Sequence, residues 1–517
     1  MSLADEMFSA LMDHSPLSAS MLGVPGWEDR LEELSADSER TVRDRLAGIL
    51  DKAETDTSED PVTLAVIRQQ GRAIVDRIDA RLVEHTVATM SAPVNGLLMI
   101  SSKIDVSQRL GLFPRYIAQA GDRVRDSDRR PLRRHLETGV QRMDAFLAQP
   151  VQEWEGGHSD GIRAAVAGFR DVLASVEDGR DDEHAGLCWL PDGERNYANL
   201  VRNYTTTSRT PDELHRLGLD VIASLREEYA EIGSRLWGTK DVPEIFRRLR
   251  TELLWESEEQ MIASAVEAIA RAEAEAPKWF GRMPGVGCQV LAVPAQEQRT
   301  SAIAFYQPAP ADRSRPGTYW LNPLGATERS RTLSEVTAFH EAVPGHHYQF
   351  TIAAETELPN MRKYAFIEAY LEGWGLYTER LADEMGLYSS DEQRLGMLGL
   401  DAMRASRLVV DTGLHAFGWS RQKAVDYLRD NTVMTEPEIH SEIDRYIETP
   451  GQALAYMVGR LEIQRVRAEA EARMGDRFDV RAFHDLVVGS GAVPLSTLDD
   501  IVTAWSGAPG RSASSSR

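Results

Sequence analysis

Cysteine is almost absent from this sequence, which has only Cys188 and Cys288 among its 517 residues. Two thiols cannot build a disulfide framework, and such sparse use fits a reducing compartment. Long apolar runs are missing too, since no stretch approaches the roughly 18 to 20 apolar residues of a membrane span. The first residues have no basic region followed by an apolar run, so no signal peptide is indicated. We therefore expect a cytoplasmic protein with no membrane partner.

Positive charge is also scarce. Lys and Arg number 58 against 81 Asp and Glu, which gives a formal net charge of −23 at pH 7. Phosphate backbones require positive protein surface, so we expect no nucleic-acid partner. Hydrophobic residues make up 42% of the chain and charged residues 27%, which excludes disordered and collagen-like classes. The length suits one enzyme-sized unit or two to three domains.

Most of the chain has the pattern of helices, with apolar residues at three- and four-residue spacing. Thr210 followed by Pro211 predicts a helix start, and this helix should run to about Ser234. The other predicted helices include residues 28–55, 60–90, 128–148, 160–178 and 256–277.

The residue pattern of the sequence changes near residue 286. Three short β-prone runs, at 290–293, 302–306 and 318–321, are separated by Pro, Gly, Asp and Asn. They predict a small sheet of about three strands, within 287–322, in a mainly helical protein. The predicted organisation is an N-terminal helical lobe (1–195), a catalytic helical lobe that contains the sheet (196–506) and a disordered tail (507–517).

One segment suggests chemistry, namely His340-Glu341-Ala342-Val343-Pro344-Gly345-His346-His347. It begins like the zinc-peptidase pattern H-E-x-x-H, in which two imidazoles one helical turn apart bind zinc and the Glu activates a water. Here four residues, not two, separate Glu341 from the next His. On an undistorted helix His346 would lie about 120° around the axis from His340, and His347 about 10.5 Å further along it.

Pro344 and Gly345 bear on this spacing. Pro344 donates no backbone N–H, and its ring clashes with the carbonyl of His340, four residues earlier. Gly345 permits a positive φ. We therefore predict a kink or bulge that swings His346 back towards His340. The alternative is that the three His lie on a solvated helix and bind no metal.

A catalytic zinc site typically takes two His and one carboxylate. Glu368, Glu372 and Glu379 share roughly one face of the next helix, at steps of four and seven residues. For Glu368 and Glu379 a solvated acidic surface is the simpler prediction. Glu372 differs because glycines at 373 and 375 flank it, and glycine lets another backbone or a ligand approach closely.

At these residues the sequence resembles a known family. The segment H-E-A-V-P-G-H-H-Y-Q, followed about 25 residues later by L-E-G-W-G-L-Y, resembles the bacterial family catalogued as domain of unknown function 885. It is more distantly similar to the zincin-like helical metallopeptidases of the thimet-oligopeptidase and angiotensin-converting-enzyme group. Further family-like segments begin at Tyr197, Asp411 and Pro450, so the resemblance covers nearly the whole chain.

The resemblance implies a mainly helical, two-lobed fold with a deep channel and a small sheet beside the metal helix. It implies one zinc ion held by His340, His346 and Glu372, with Glu341 as the general base. It favours His346 over His347 as the ligand, and that choice stays open. In the implied chemistry Glu341 takes a proton from the attacking water and later passes it to the leaving amine.

Two positions outside these motifs are candidates for catalysis. Tyr456 is expected to donate to the oxyanion, because the distant peptidase relatives place a Tyr in the channel downstream of the metal helices. The alternative is an ordinary core tyrosine. His415, with Asp411 four residues before it to orient the ring, could face the substrate. A surface pair on one helix is the alternative.

Three residues near the predicted sheet are candidates for substrate binding. Tyr319 and Trp320 lie on the strand that, in zincins, pairs with an extended peptide. Such aromatic residues are more often core residues. Arg315 is a weaker candidate for binding a substrate carboxylate through its planar fork.

Together these features predict a zinc-dependent hydrolase that cleaves a short peptide or a small amide. One alternative is a hydrolase or tailoring enzyme for a non-peptide amide or ester. Two His and one carboxylate also suit iron(II) oxygenases, but Glu341 directly after His340 favours hydrolysis. From a different class, the chain could be a metal-free helical pseudoenzyme or scaffold. The sequence does not predict the substrate, the physiological metal or the oligomeric state.

Overall fold

The structure is a computed structural model that describes residues 2–101, 104–150, 157–295, 298, 301–310, 313 and 315–508. Helices account for 69% of it and strands for 4%, which confirms the prediction of a mainly helical protein. Most of the predicted disordered tail lies outside the described residues, but Gly507 ends the last helix.

Helices dominate the chain before the sheet, and one predicted start is confirmed in detail. The Thr210 hydroxyl accepts the N–H of Glu213 (3.3 Å), and the Glu213 carboxylate accepts the N–H of Thr210 (2.8 Å). The helix it opens ends at Trp237, slightly beyond the prediction. In chain order these helices are α1 (Leu3–His14), α2 (Pro16–Met21), α3 (Ala36–Thr55), α4 (Pro61–Asp79), α5 (Pro93–Ile100), α6 (Phe113–Arg125), α7 (Arg133–Ala148), α8 (Ser159–Ser175), α9 (Gly193–Thr205), α10 (Pro211–Trp237), α11 (Val242–Thr251) and α12 (Glu258–Glu275).

A small three-stranded sheet follows, as predicted. Its strands are β1 (Cys288–Ala292), β2 (Ala304–Gln307) and β3 (Gly317–Leu321). The order is β1-β3-β2, with β1 parallel and β2 antiparallel to the central strand β3. Tyr319 lies opposite Val290 on one side and Tyr306 on the other. β3 therefore has a partner along both of its edges.

Helices resume at Ser334 and continue to the end of the described chain. They are α13 (Ser334–Glu341), α14 (His346–Glu355), α15 (Asn360–Lys363), α16 (Glu368–Glu384), α17 (Asp391–His415), α18 (Arg421–Asn431), α19 (Glu436–Glu448), α20 (Ala455–Met474), α21 (Val480–Gly489) and α22 (Leu495–Gly507).

The chain divides into two compact units, and each consists of several separate segments. Unit 1 contains residues 1–204, 208–219 and 406–453, and unit 2 contains 205–207, 220–405 and 454–517. The first crossing is close to the predicted boundary at 195/196. The later crossings differ from the prediction, which assigned residues 406–453 to the catalytic lobe. Packing between distant segments decides this division, and helical periodicity along the chain does not record it.

Each unit has its own core. In unit 1 aliphatic and aromatic side chains from α6 and α8 pack together, including Phe113, Ile117, Val166 and Phe169. In unit 2 aromatic rings are prominent, with Phe280 4.4 Å from Tyr348 and Trp374 5.5 Å from Tyr377 between ring centroids. None of the helices in the described residues is both long and apolar enough to cross a lipid bilayer.

Candidate metal centre

The two histidines of the motif lie on different helices. α13 ends at Glu341 and α14 begins at His346, so the helix breaks completely where a kink or bulge was predicted. Gly345 has a φ of −80°, so it does not use the positive φ that glycine permits. Glycine is required at this position for another reason, since a Cβ there would lie 1.9 Å from the carbonyl oxygen of His340. The chain thus turns back against the end of α13 and returns His346 to the neighbourhood of His340.

Helix α16 holds this turn in place. The indole N–H of Trp374 donates to the carbonyl of Pro344 at 3.0 Å. The hydroxyl of Thr378, one helical turn later, donates to the carbonyl of Gly375 at 2.7 Å and also lies 3.4 Å from the carbonyl of Phe339. The helix that carries the candidate acidic ligand is thereby attached both to α13 and to the connection that follows it.

Three side chains of unit 2 converge on one point, as the sequence predicted. Nε2 of His340 lies 3.5 Å from Oε2 of Glu372, and Nε2 of His346 lies 3.6 Å from the same oxygen. The two imidazole rings are 4.6 Å apart between centroids and nearly perpendicular. The donor atoms all lie within 4.8 Å of one another. Ligands at 2.0 to 2.1 Å from a tetrahedral zinc are about 3.3 Å apart, and the two separations from Oε2 of Glu372 are close to this value.

The two glycines of the Glu-Gly-Trp-Gly motif have separate reasons. A Cβ on Gly375 would lie 2.5 Å from Cε1 of His340, so this glycine makes room for the imidazole. Gly373 faces α20, where a Cβ would lie 2.5 Å from Cα of Gly459. One glycine therefore accommodates a candidate ligand, and the other lets two helices cross at backbone contact.

Glu379 is part of the site, and the prediction that it is solvated is wrong. It is fully buried, and its Oε1 lies 2.8 Å from Nδ1 of His340. His340 thus has Glu379 on one ring nitrogen and Glu372 on the other. The step of seven residues between the two acids is the sequence signal, because it places both on one helix face two turns apart. Glu368, the third predicted acid, is half-buried.

These carboxylates shift the pKa of the imidazole between them. Burial by itself would lower the pKa of His340, but hydrogen bonds to Glu372 and Glu379 outweigh it and raise the pKa to about 10. Burial would raise the pKa of Glu372, and the hydrogen bonds to His340 and His346 bring it well below its ordinary range. Both shifts reflect charges of opposite sign held together away from water.

Glu341 lies at the C-terminal end of α13 and is half-buried. Its negative charge contributes to the raised pKa of His340. Burial, with a further contribution from Glu341, also raises the pKa of Tyr319 on β3. The carboxylate thus acts electrostatically on both the candidate ligand and the central strand.

His347 has a different set of partners from its neighbour. It is buried, and its Nδ1 lies 2.9 Å from the hydroxyl of Tyr306 on β2. Burial lowers the pKa of His347 to about 4, against the opposing effect of a hydrogen bond to the main chain of Val286. His347 therefore joins α14 to the sheet, which supports the choice of His346 as the ligand.

The other candidate catalytic residues lie on separate parts of the chain. Tyr456 is half-buried near the start of α20, in the same unit as the candidate metal ligands. His415 belongs to unit 1 and is fully buried. Its Nδ1 accepts the N–H of Leu187 at 3.0 Å, and its Nε2 lies 3.0 Å from the carbonyl of Tyr446. Both ring nitrogens thus have main-chain partners, which favours a structural role over the predicted contact with substrate.

Asp411 does not orient His415, although it was predicted to. Its carboxylate accepts the hydroxyl of Tyr197 (2.6 Å) and the N–H of Gly451 (3.1 Å). The family-like segments around these residues therefore meet in the interior of unit 1.

The predicted peptide-pairing strand also needs correction. β3, which carries Tyr319 and Trp320, is the central strand and has no edge to offer a substrate. Tyr319 is fully buried, and the indole of Trp320 donates to Gln307 at 2.9 Å. Arg315 donates to the carbonyl of Pro316 at 3.1 Å. β2, which lies beside His347 through Tyr306, is an edge strand of the described sheet.

Comparison with known proteins extends the resemblance over nearly the whole chain. The family described as bacterial protein of unknown function (DUF885) matches residues 16–502. A crystal structure from Colwellia psychrerythraea, described as a lipoprotein candidate, is similar with a TM-score of 0.88 and 25% identity over 98% of each chain. A structure from Shewanella oneidensis, described as a lipoprotein candidate of unknown function, has a TM-score of 0.74 and 18% identity. It covers 97% of this chain and 99% of that one, and shows a shared fold. No curated protein matches the chain.

Proposed function

Because the chain belongs to the DUF885 family of bacterial proteins of unknown function, we propose its function from the site, as a zinc-dependent hydrolase of peptide or small amide bonds. One observation carries this proposal. Two imidazoles and a carboxylate from three helices direct their donor atoms at one point, at separations of 3.5 and 3.6 Å from the shared oxygen. Such a ligand set leaves a position open for water, as catalytic zinc sites do.

The residues around the three donors also suit a metal site. The Glu379 carboxylate accepts the Nδ1 proton of His340, so Nε2 is the nitrogen left to bind an ion. The ring of His340 occupies space that any side chain at position 375 would fill. A solvated cluster of His and Glu would need neither feature. Zinc, when bound, supplies a Lewis acid that polarises the scissile carbonyl and makes water nucleophilic at neutral pH.

The remaining chemistry belongs to side chains of this protein. Glu341 immediately follows the ligand His340, and we assign it as the general base that accepts a proton from the attacking water at its carboxylate. The same carboxylate then returns the proton to the nitrogen of the leaving amine. Tyr456 is the proposed donor to the oxyanion through its phenolic O–H. This assignment rests on resemblance to the distant peptidases and on its position in the same unit.

The zincin-like character of the fold is part of this proposal. A ligand pair followed by an acid-bearing helix, beside a small mixed sheet, supports it. By the same resemblance we propose two lobes and a channel that admits short, unfolded substrates. If the substrate is an extended peptide, the edge strand β2 is the element we expect to pair with it, because β3 is already paired on both sides.

Metal content and a base variant test the proposal together. Purified protein should contain close to one zinc per chain, measured by elemental analysis. Glu341→Gln should keep that zinc and lose at least about 100-fold in turnover, as expected for loss of a general base. The exposed Glu357, beyond the end of α14, provides a matched control as Glu357→Gln and should change neither quantity.

The substrate class needs a screen. Zinc-loaded protein would be incubated with a library of short peptides and N-acyl amides, and the products identified by mass. Products that require Glu341 and disappear on chelation would support hydrolysis. Protein that takes up no zinc even after loading would contradict the proposal and favour a metal-free scaffold.

The cytoplasmic location also stays a prediction, and the neighbours described as lipoprotein candidates point elsewhere. Separation of soluble and membrane fractions from a bacterium that expresses the chain would test it. Chain recovered in the membrane fraction would contradict it.

A further inference from the structure

Behind the candidate ligand His340 lies an acid that points away from the metal position. Glu379 is fully buried, and its Oε1 is 2.8 Å from Nδ1 of His340. Its main-chain carbonyl accepts the hydroxyl of Tyr388 at 2.9 Å, which fixes the backbone at this point. Among the described residues its second oxygen, Oε2, has no hydrogen-bond partner. Glu379 is therefore dedicated to one side of one imidazole.

This contact decides how His340 presents its other nitrogen. A carboxylate can only accept, so the proton on Nδ1 stays there and Nε2 is the nitrogen left to bind an ion. Nε2 is the atom that faces Glu372 and the shared point. The contact therefore fixes the orientation of the ring, and the nitrogen that it presents, before any ion arrives, which lowers the cost of assembling the site.

Arg404, on helix α17, lies close to Glu379. The residue is 9% exposed, and its Nη2 lies 3.9 Å from Oε1 of Glu379. Its Nε and Nη1 are buried and have no hydrogen-bond partner within the described part of the chain. A buried guanidinium needs an anion nearby, and among the described residues Glu379 is the acid within ion-pair distance.

The acid next to Arg404 along α17 is already paired with two other arginines. Asp401, one turn before Arg404 on α17, is fully buried between Arg380 and Arg460. Each of its two oxygens already accepts from one of these guanidinium groups. Arg404 is thus directed to the acid that contacts His340.

From this arrangement we propose that Glu379 is a positioning residue for His340, with Arg404 as its counter-charge, and that together they set the affinity of the site for a divalent cation. The inference rests on the proposed metal centre. It assigns two residues that touch neither the ion nor the substrate. They act by holding the imidazole in the orientation and tautomer that the ion requires.

The test uses the full chain, stripped of metal and titrated with Zn²⁺ against a chromophoric chelator. Glu379→Ala should weaken zinc binding by about 10- to 100-fold, the range for partners that orient metal-ligating histidines. Glu379→Gln should lose less, because its amide oxygen still accepts the Nδ1 proton without the charge. Arg404→Met should lose several-fold, and Arg404→Lys should recover most of the affinity.

A spectroscopic readout separates positioning from general destabilisation. With Co²⁺ in place of Zn²⁺, the visible absorption bands report ligand geometry and should shift in Glu379→Ala. The matched control is Glu384→Gln, because Glu384 lies on the same helix but pairs with Arg467 and is 44% exposed. It should leave both affinity and spectrum unchanged. If Glu379→Ala does not fold, the near-isosteric Glu379→Gln serves for both measurements.

The outcomes separate this inference from the function it rests on. If the unmodified chain binds neither Zn²⁺ nor Co²⁺, the metal centre itself is wrong. If the unmodified chain binds zinc and Glu379→Ala binds it equally tightly with the same cobalt spectrum, only the positioning role is wrong. Unchanged affinity in Arg404→Met alongside weakened binding in Glu379→Ala would show that Arg404 has no part in the positioning role.

Discussion

His135 in unit 1 and His340 in unit 2 are both buried imidazoles with a carboxylate at each ring nitrogen. The nitrogens of His135 lie 3.1 Å from Asp444 and 3.2 Å from Glu448. Those of His340 lie 3.5 Å from Glu372 and 2.8 Å from Glu379.

The surroundings of the carboxylates distinguish the two clusters. In unit 1 Glu448 accepts three main-chain N–H groups, from Val87, Ala88 and Thr89, at 2.7 to 2.8 Å. Asp444 is held in a two-point contact by the guanidinium of Arg421. In unit 2 Glu372 faces a second imidazole, His346, where the acids of unit 1 have a cation or main-chain donors.

The His135 cluster is saturated, because its carboxylates already have cationic or main-chain partners. The His340 cluster is convergent, because its donor atoms face one another. The two clusters therefore use the same residue types for different roles. Saturated charges join distant segments of a core, since every donor and acceptor already has its partner. Donor atoms that converge without a saturating partner leave room for an ion between them. The three predictions below test this distinction, beginning with the largest expected effect.

The clearest test compares adjacent histidines. His346→Ala should weaken zinc binding by more than about 100-fold, because loss of a ligand should exceed the loss of an orienting partner. His347→Ala should retain zinc near one per chain but unfold at lower temperature, since it loses the contacts to Tyr306 and Val286. Elemental analysis and thermal unfolding measure the two effects. Zinc lost from the His347 variant and kept by the His346 variant would reverse the ligand assignment.

The saturated cluster should affect stability alone. Glu448→Gln should lower the free energy of unfolding of unit 1 by roughly 3–5 kcal/mol, the cost of removing one partner from a buried ion pair. Zinc content should not change. Glu436→Gln, at an exposed pair with Arg429 on the same helix, is the control and should cost less than about 1 kcal/mol. Denaturant titration measures both, and loss of zinc from the Glu448 variant would contradict the distinction.

The same cluster should make unit 1 sensitive to alkaline pH. Burial would lower the pKa of His135, but the charge of Glu448 and the hydrogen bonds to Asp444 and Glu448 raise it to about 9. The stabilisation is fully present below the unfolded pKa near 6.5 and is lost as pH rises through about 9, which amounts to about 3 kcal/mol. The denaturant midpoint of the unmodified chain should be lower at pH 9.5 than at pH 6.5, and the difference should be smaller in His135→Gln. An equal difference in both proteins would contradict this.

Much of the candidate site could be predicted from the sequence because its residues carry unusual local signals. His340, His346 and Glu372 lie in motifs whose proline and glycines have no use on an ordinary helix surface. Gly345 was singled out because glycine permits a positive φ, but a close backbone contact requires it instead. Both requirements select glycine, so the sequence alone does not distinguish them.

The parts that escaped prediction depend on distant partners. The role of His347 is set by Tyr306 and Val286, about 40 and 60 residues earlier, and the sequence does not show that they meet it. His415 resembled a catalytic residue, but Leu187 and Tyr446 take up its ring nitrogens. Glu379 gave a usable signal in its step of seven residues from Glu372, and burial decided against the solvated alternative.

Unit 1 is assembled from three separate segments, the last of which ends at residue 453. On the ribosome its first 204 residues would emerge early and wait for their remaining partners. At about 5–20 residues per second, roughly 12–50 seconds of translation separate residue 204 from residue 453. Through that interval the main-chain amides of Val87, Ala88 and Thr89 have no Glu448 to bind. The nascent chain therefore exposes an unfinished interior while most of unit 2 is still being made.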